Sequence, residues 1–198
     1  MNSKKGDLNL NKLLSTFWPA GKKFHSSSIN FIKRYQNKII VIKYGGYALT
    51  KNNLMKSFSK NIALLNKVGI KIIVVHGGGP QIEAELKKRK IKDSEYQGLR
   101  VTTESILKIV KNILAKKLNK SISHELNKFG RISKRVDGIS LKVIEAKIAL
   151  NGNIGYVGEP TKLNKKTIHE IIKSKKVPVI APIAVSYTHL TLPTTPYV

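Results

Sequence analysis

Two short β-branched runs, each closed by a glycine-rich turn, restrict the possible folds of this chain more than any other feature. Residues 39–43 (Ile-Ile-Val-Ile-Lys) lead into Tyr44-Gly45-Gly46, and residues 72–75 (Ile-Ile-Val-Val) lead into His76-Gly77-Gly78-Gly79-Pro80. Between them, over residues 52–68, Leu54, Phe58, Ile62 and Leu65 recur at the spacing of one helix face. Pro80 suits the first turn of the next helix, where a missing N–H removes no hydrogen bond. The pattern is a βαβα unit. In such sheets ligands bind at the carboxyl ends of the strands, so both glycine turns are expected to face one crevice.

The rest of the chain continues the alternation. Ile106, Val110, Ile113, Leu118, Ile122 and Leu126 share a face of a helix predicted over residues 103–128, with Gly130 as its stop. Residues 98–102 before it read as a loop or strand end. Residues 139–150 read as a strand, Asn151-Gly152 as a hairpin turn, residues 164–175 as a helix and residues 177–181 as a buried strand. The expected fold is α/β, with a mixed, mainly parallel sheet and helices on both faces.

At 198 residues the chain has room for one well-buried domain, and 41% hydrophobic content supplies its core. It contains no cysteine, which excludes disulfides, thiolate metal sites and cysteine nucleophiles and fits a reducing compartment; a cytoplasmic location is expected. Lysines interrupt every apolar run, so no stretch reaches the roughly 20 residues of a membrane-spanning helix. The formal charge of +26 would attract phosphate-bearing partners, and a non-enzymatic basic nucleic-acid-binding protein is the competing class. The lysines are scattered through every segment, without an arginine stripe or interleaved aromatics, which argues against nucleic acid as the partner.

Composition also divides the chain. Residues 1–36 form a basic extension with Asp7 as its only carboxylate and Pro19 and Gly21 as breaks, read as an added segment with a helix ending near Tyr35. An organellar transit peptide would favour arginine, and Arg34 stands alone there. Residues 37–185 form the domain. Residues 186–198 carry no charged side chain, four threonines and two prolines, a shift that reads as a foreign tail.

Glycines in the two turns would let backbone N–H groups approach an anion, with helix N-termini adding partial positive charge. Lys43 at a strand end could neutralise charge on a transferring phosphoryl group, although a lone lysine before two glycines is as well explained by the surface. The P-loop string is absent, and the dinucleotide fingerprint counted from Gly77 and Gly79 meets Ile82 where glycine or alanine belongs. His-Gly-Gly-Gly also serves as an esterase oxyanion element, but no Gly-x-Ser-x-Gly elbow accompanies it. In Gly98-Leu99-Arg100-Val101-Thr102 the guanidinium could grip a carboxylate, or could simply pair with a neighbour such as Glu104. His25, His124, His169 and His189 have no metal-ligand spacing, and His76 reads as a strand-end hydrogen-bonding residue.

The order of these pieces is more specific than any one of them. KYGG, then VHGGGPQI, then GLRVT before a long helix carrying LAKKLNKSISHELNKFG, and later GYVGEPTKLN and VPVIAPIAV, resembles the N-acetylglutamate kinases of the amino acid kinase family over residues 31–185. The resemblance implies a three-layer αβα sandwich, of which this chain carries the N-terminal, acetylglutamate-binding portion. It implies a catalytic Lys43, phosphate binding by Gly45, Gly46 and Gly77, substrate binding by Gly78, Gly79 and Arg100, and no protein-held metal. Partners would be N-acetyl-L-glutamate and ATP with Mg2+, the nucleotide bound mainly in a C-terminal half, and the complete protein would be a homo-oligomer. An N-terminal helix like that expected over residues 28–35 accompanies arginine-inhibited hexamers in the family.

Two departures stand out. The Asn-x-Asn-Ala-Asp-type motif and second lysine that follow in the family are absent, so the fragment as given is expected to bind acetylglutamate weakly and to lack kinase activity. Ser140-Leu141-Lys142 stands where the family has Gly-Lys-Asp, an apparent shortening within residues 131–142.

Overall fold

The computed structural model describes residues 26–185 and the backbone of residues 192–193. The expectations for residues 1–25 and for nearly all of the tail lie outside the described residues.

Helix α1 (Ser26–Tyr35) lays Ile29, Ile32 and Tyr35 on the main core and leaves Phe31 exposed. Strands β1 (Ile39–Tyr44) and β2 (Lys71–His76) pair parallel in unbroken register from Ile39↔Lys71 to Tyr44↔His76, joined through helix α2 (Asn52–Lys67). In β2 side chains alternate between two buried faces: Ile72 and Val74 enter one core cluster, Ile73 another. This is the reason the strand reads as a continuous apolar run rather than an alternating one.

Helix α3 (Gly79–Lys88) leaves the second glycine turn directly and leads to a small hairpin, β3 (Glu95–Tyr96) and β4 (Leu99–Arg100). Its two-residue loop, Gln97 and Gly98, has φ of +51° and +74°. A turn with both central residues left-handed matches strand twist, and glycine is suited to the second position. The loop or strand end expected at residues 98–102 is thus the second arm of this hairpin, which carries Arg100.

The long helix begins at α4 (Glu104–Lys111), where the Thr103 hydroxyl accepts from the Ile106 amide at 3.4 Å as an N-cap. It does not stay α-helical: residues Asn112–Leu118 are π-helical before α5 (Asn119–Asn127) resumes, and Gly130 at φ +113° turns the chain out. The extra residue in the wide turn is a bulge of the kind associated with functional sites.

Strand β5 (Ser133–Val136) is short and polar at both central positions, and the sequence pattern alone did not reveal it. The strand expected over residues 139–150 is confined to β6 (Ile144–Ile148). The Asp137 carboxylate accepts from the amides of Ile139 and Ser140 and from the Ser140 hydroxyl, and Lys142 sits at φ +44°, so this stretch turns instead of extending. The expected two-residue hairpin at Asn151-Gly152 is a longer connection, with a tight turn at Ala149–Gly152 that holds Leu150 and Asn151 left-handed. It returns as β7 (Gly158–Leu163), antiparallel to β6 and almost wholly exposed, which explains its lack of an apolar signal.

Helix α6 (Lys165–Lys173) is capped by Asn164, and β8 (Val177–Ile180) then enters the sheet between β2 and β5. The main sheet, in order β1-β2-β8-β5, is parallel throughout. Antiparallel pairing, expected within a mixed sheet, occurs instead in separate hairpins and in the pairing of β9 (Ile183–Ala184) with β10 (Leu192–Pro193). Ile62 of α2 and Ile122 and Leu126 of α5 cover one face; Ile168, Ile171 and Ile172 of α6 cover the other. The result is an αβα arrangement in which each fully buried isoleucine contributes roughly 1.5–3 kcal/mol.

The connection after β6 is pinned at Gly155. Thr102 and Gly155 form a bridge, the Thr102 carbonyl accepts from the Tyr156 amide at 2.8 Å, and Gly155 sits at φ +66°. A Cβ there would overlap the Thr102 carbonyl oxygen. Gly155→Ala should cost at least about 2 kcal/mol in a denaturant titration. Gly45→Ala, whose Cβ meets nothing within 4 Å, should leave the midpoint unchanged.

Candidate functional site

The register of β1 and β2 determines where the site lies. Tyr44 and His76 are the last paired residues, and the Gly77 amide donates to the Tyr44 carbonyl at 2.9 Å, so both glycine turns leave the sheet at the same level. They then approach closely: a Cβ on Gly46 would lie 3.0 Å from the amide nitrogens of both Gly78 and Gly79 and 2.9 Å from Pro80 Cδ. Gln81 locks the pair, its side-chain amide donating to the Gly46 carbonyl at 2.9 Å.

The second turn is held from the other side by the π-helical segment. A Cβ on Gly78 would meet Leu114 Cδ2 at 2.5 Å and Leu118 Cδ1 at 2.7 Å. Gly46, against backbone, and Gly78, against the movable ends of two leucines, are thus constrained by the packing of the chain itself. Gly45 and Gly79 are not: nothing lies within 4 Å of a Cβ on the first, and only the Glu83 carboxylate, at 4.0 Å, faces the second.

Between the turns lies a cavity of about 320 Å³. Lys43, Gly45, Gly46, Gly77, Gly78, Gly79 and Arg100 all line it, together with Thr102 and an apolar wall of Ile82, Val110, Leu114, Val157 and Pro182. The structure brings every candidate site residue of the sequence to one place. The later motifs arrive there too, through Val157 of GYVGEP and Pro182 of VPVIAPIAV. A larger cavity of about 720 Å³ between α3 and α4 contains neither glycine turn.

The electrostatics at the cavity come from three sources. Gly78 precedes α3 without a side-chain cap and Pro80 lies in the first turn, so the partial positive charge of the helix N-terminus is aimed at the glycines. The first turn does not gain the same help, since a short 3-10 turn at Ala48–Thr50 separates Gly46 from α2, contrary to the expectation of a helix N-terminus behind each turn. Lys43 is exposed at the end of β1. Arg100 donates from Nε to Asp93 Oδ2 at 3.0 Å and from Nη2 to Glu83 Oε1 at 3.2 Å. It does not pair with Glu104, which engages Lys108 at 2.9 Å.

His76 is buried, and its Nδ1–H donates to the Gly77 carbonyl at 3.0 Å while Nε2 accepts from the Asn119 side-chain amide at 3.3 Å. Burial lowers its pKa, partly offset by the bond to Gly77. Asn119, itself fully buried, also donates to the Val179 carbonyl at 2.8 Å and accepts from Arg135 Nε at 3.1 Å. Arg135 Nη2 caps the Ala115 carbonyl of the π-helical segment at 2.8 Å. The roles of Gln81, Asn119 and Arg135 were not identifiable from residue pattern, although Gln81 lies within VHGGGPQI and Asn119 within LAKKLNKSISHELNKFG.

A parallel sheet whose adjacent strands end in facing glycine turns, with a helix N-terminus, a lysine and an arginine around one cavity, defines an α/β protein with a positively polarised crevice at the carboxyl ends of its strands. Residues 38–192 match the model of the amino acid kinase family, and the chain belongs to that family. It is 39% identical over 158 residues to the acetylglutamate kinase of Campylobacter curvus (strain 525.92), an alignment covering 80% of this chain and 56% of that one. It is 41% identical over 158 residues to the acetylglutamate kinase of Clostridium acetobutylicum (77% and 54% covered). The chain spans about half the length of these curated relatives. Among solved structures it superposes on smu.665 from Streptococcus mutans UA159 with a TM-score of 0.69 at 28% identity, covering 79% of this chain and 63% of that one. It also superposes on N-acetylglutamate synthase from Neisseria gonorrhoeae complexed with coenzyme A and N-acetyl-glutamate (TM-score 0.73, 16% identity, 84% and 38% covered), which shows the fold alone.

The lowered pKa of His76 carries a stability prediction. The unfolded chain takes up a proton at this histidine as pH falls through about 6.5, whereas the folded chain does so only at lower pH. The contribution is full above that range and is lost as pH falls, at up to about 1.4 kcal/mol per pH unit. Unfolding free energies measured between pH 7.5 and 5 should show this slope, and His76→Gln should remove it.

Proposed function

We propose that this chain carries the acetylglutamate-binding portion of an N-acetyl-L-glutamate kinase, which transfers the γ-phosphoryl group of ATP to the γ-carboxylate of N-acetyl-L-glutamate in arginine biosynthesis. The observation that carries the reading is the convergence of the scattered motifs on one cavity, in a chain whose curated relatives are acetylglutamate kinases. Residues 37–185 would form this binding domain, with residues 1–36 an extension and residues 186–198 a tail foreign to it. The family match begins at residue 38, which supports the first boundary, and runs on to residue 192, into the tail. The complete enzyme would be cytoplasmic and homo-oligomeric. Among the described residues no helix is long and apolar enough to cross a membrane.

In this reading Arg100 clamps a carboxylate of the substrate, with the backbone of Gly78 and Gly79 beside it. Gly45, Gly46 and Gly77 cradle the phosphoryl oxygens, and Lys43 offsets charge on the transferring group. Gly45 and Gly79 support this assignment, because they are glycines that line the cavity without a demand from the chain's own packing. The space a side chain would fill is left to a ligand. The apolar wall of Ile82, Val110, Leu114, Val157 and Pro182 suits the acetyl methyl and the methylenes.

The γ-carboxylate is ionised at neutral pH and is already a nucleophile. One of its oxygens forms the new bond to phosphorus as the bond to the ADP oxygen breaks, no proton moves, and the protein's task is alignment and charge neutralisation. The histidines have no role in that step. Mg2+ would arrive with ATP.

Isothermal titration of N-acetyl-L-glutamate into the purified chain should give saturable binding, weakened about tenfold or more by Arg100→Ala, the range expected for loss of a charge-assisted pair. Absence of binding, together with steeply salt-dependent DNA binding, would replace this reading with that of a basic nucleic-acid-binding protein.

A further inference from the structure

Arg100 is held before any substrate arrives. A guanidinium carries its five N–H donors in one plane, arranged as a side-on edge (Nε and Nη2) and an end-on edge (Nη1 and Nη2). Two of its three nitrogens are engaged by different carboxylates, Asp93 Oδ2 on Nε at 3.0 Å and Glu83 Oε1 on Nη2 at 3.2 Å. Their backbones belong to separate pieces of the fold. Glu83 lies in α3, in the turn that follows the glycines, and Asp93 lies in the link to the β3–β4 hairpin that carries Arg100 itself. A planar group bonded at two points from two elements cannot rotate freely about its terminal torsions.

We propose that Asp93 and Glu83 are positioning residues for Arg100, holding Nε and Nη2 so that Nη1 and the remaining N–H of Nη2 are presented to the carboxylate of the ligand in the cavity. This rests on the binding role given to Arg100 above. The physical gain is preorganisation: a long side chain that is already ordered loses less conformational entropy on binding. Two carboxylates beside one arginine make the local charge negative, which would by itself oppose an anion. They are, however, 38% and 63% exposed, against 22% for Arg100, so solvent and salt screen their longer-range effect while the direct bonds to the guanidinium persist. Lys43 and the N-terminus of α3 supply positive potential in the same cavity.

The opposite role is equally concrete. As competitors for the guanidinium, the two carboxylates would have to be displaced by substrate, and their removal would tighten binding. The sign of one experiment separates the two.

Asp93→Ala and Glu83→Ala should each raise the dissociation constant for N-acetyl-L-glutamate by about three- to tenfold, the range for one charge-assisted hydrogen bond acting indirectly. The thermal midpoint should stay within about 2 °C, as for substitutions at exposed positions. Asp93→Asn and Glu83→Gln, which keep an acceptor oxygen, should recover most of the loss. In the Arg100→Ala background the alanine substitutions should have no further effect on affinity. Unchanged or tighter binding in the single variants, or an equal loss without Arg100, overturns the proposal. The Arg100 Nε–H resonance of the unliganded chain supplies a readout independent of substrate: it should be sharp and slow to exchange, and lost in Asp93→Ala. If the chain binds no acetylglutamate at all, the functional reading fails while this resonance still decides the positioning role; an Nε–H already broad in the parent chain overturns it.

Discussion

The architecture of the site depends on backbone meeting backbone at Gly46. A Cβ there would press on the amides of Gly78 and Gly79 and on the Pro80 ring, so a side chain would push the two turns apart, and the cavity lies between them. Everything upstream serves this approach. Six matched pairs between β1 and β2 bring the turns out level, and Gln81 ties the Gly46 carbonyl to the start of α3. Everything downstream rests on it, since Leu114 and Leu118 of the long helix pack against the space where Gly78 lacks a Cβ.

The polar interior shows a similar economy. His76, Asn119 and Arg135 form one hydrogen-bonded line from the Gly77 carbonyl to the Ala115 carbonyl, satisfying strand, turn and π-helical segment with three side chains. A widened helical turn leaves carbonyls poorly paired, and the guanidinium of Arg135 takes one of them. The long helix is thereby fixed to the sheet at the place where it meets the glycine turn, by hydrogen bonds on one side and by two leucines on the other.

Much of this was legible in the residues. The apolar runs ending in glycines marked β1 and β2 and, through strand order, the location of the cavity; the helical spacing marked α2, α4, α5 and α6. What escaped notice did so for physical reasons. β5 and β7 are short or exposed and carry lysine, arginine and glutamate, so no apolar alternation betrays them. The turn over residues 137–142 depends on the Asp137 side chain replacing backbone partners, which looks in sequence like a continuing strand. The π-helical segment shows in the apolar spacing only as the five-residue step from Ile113 to Leu118, one irregularity in a face otherwise spaced by three and four. For Arg100 the residue pattern offered pairing with a neighbour such as Glu104, whereas its resident partners, Glu83 and Asp93, are brought to it by the fold.

The position of β8 has a consequence for how the molecule is made. Among the described residues it is the last strand of the main sheet to emerge, yet it sits inside the sheet, joining β2 to β5, with Val74 opposite Val179 more than a hundred residues along the chain. During synthesis, at about 5–20 residues per second, the inner edge of β2 therefore waits on the order of ten seconds for its partner, and β5 has no neighbour in the sheet until then. Both edges are open to other chains in that interval. The same insertion makes the native sheet rich in distant contacts, so refolding should be slow for a domain of this size, limited by the arrival of four residues, Val177–Ile180.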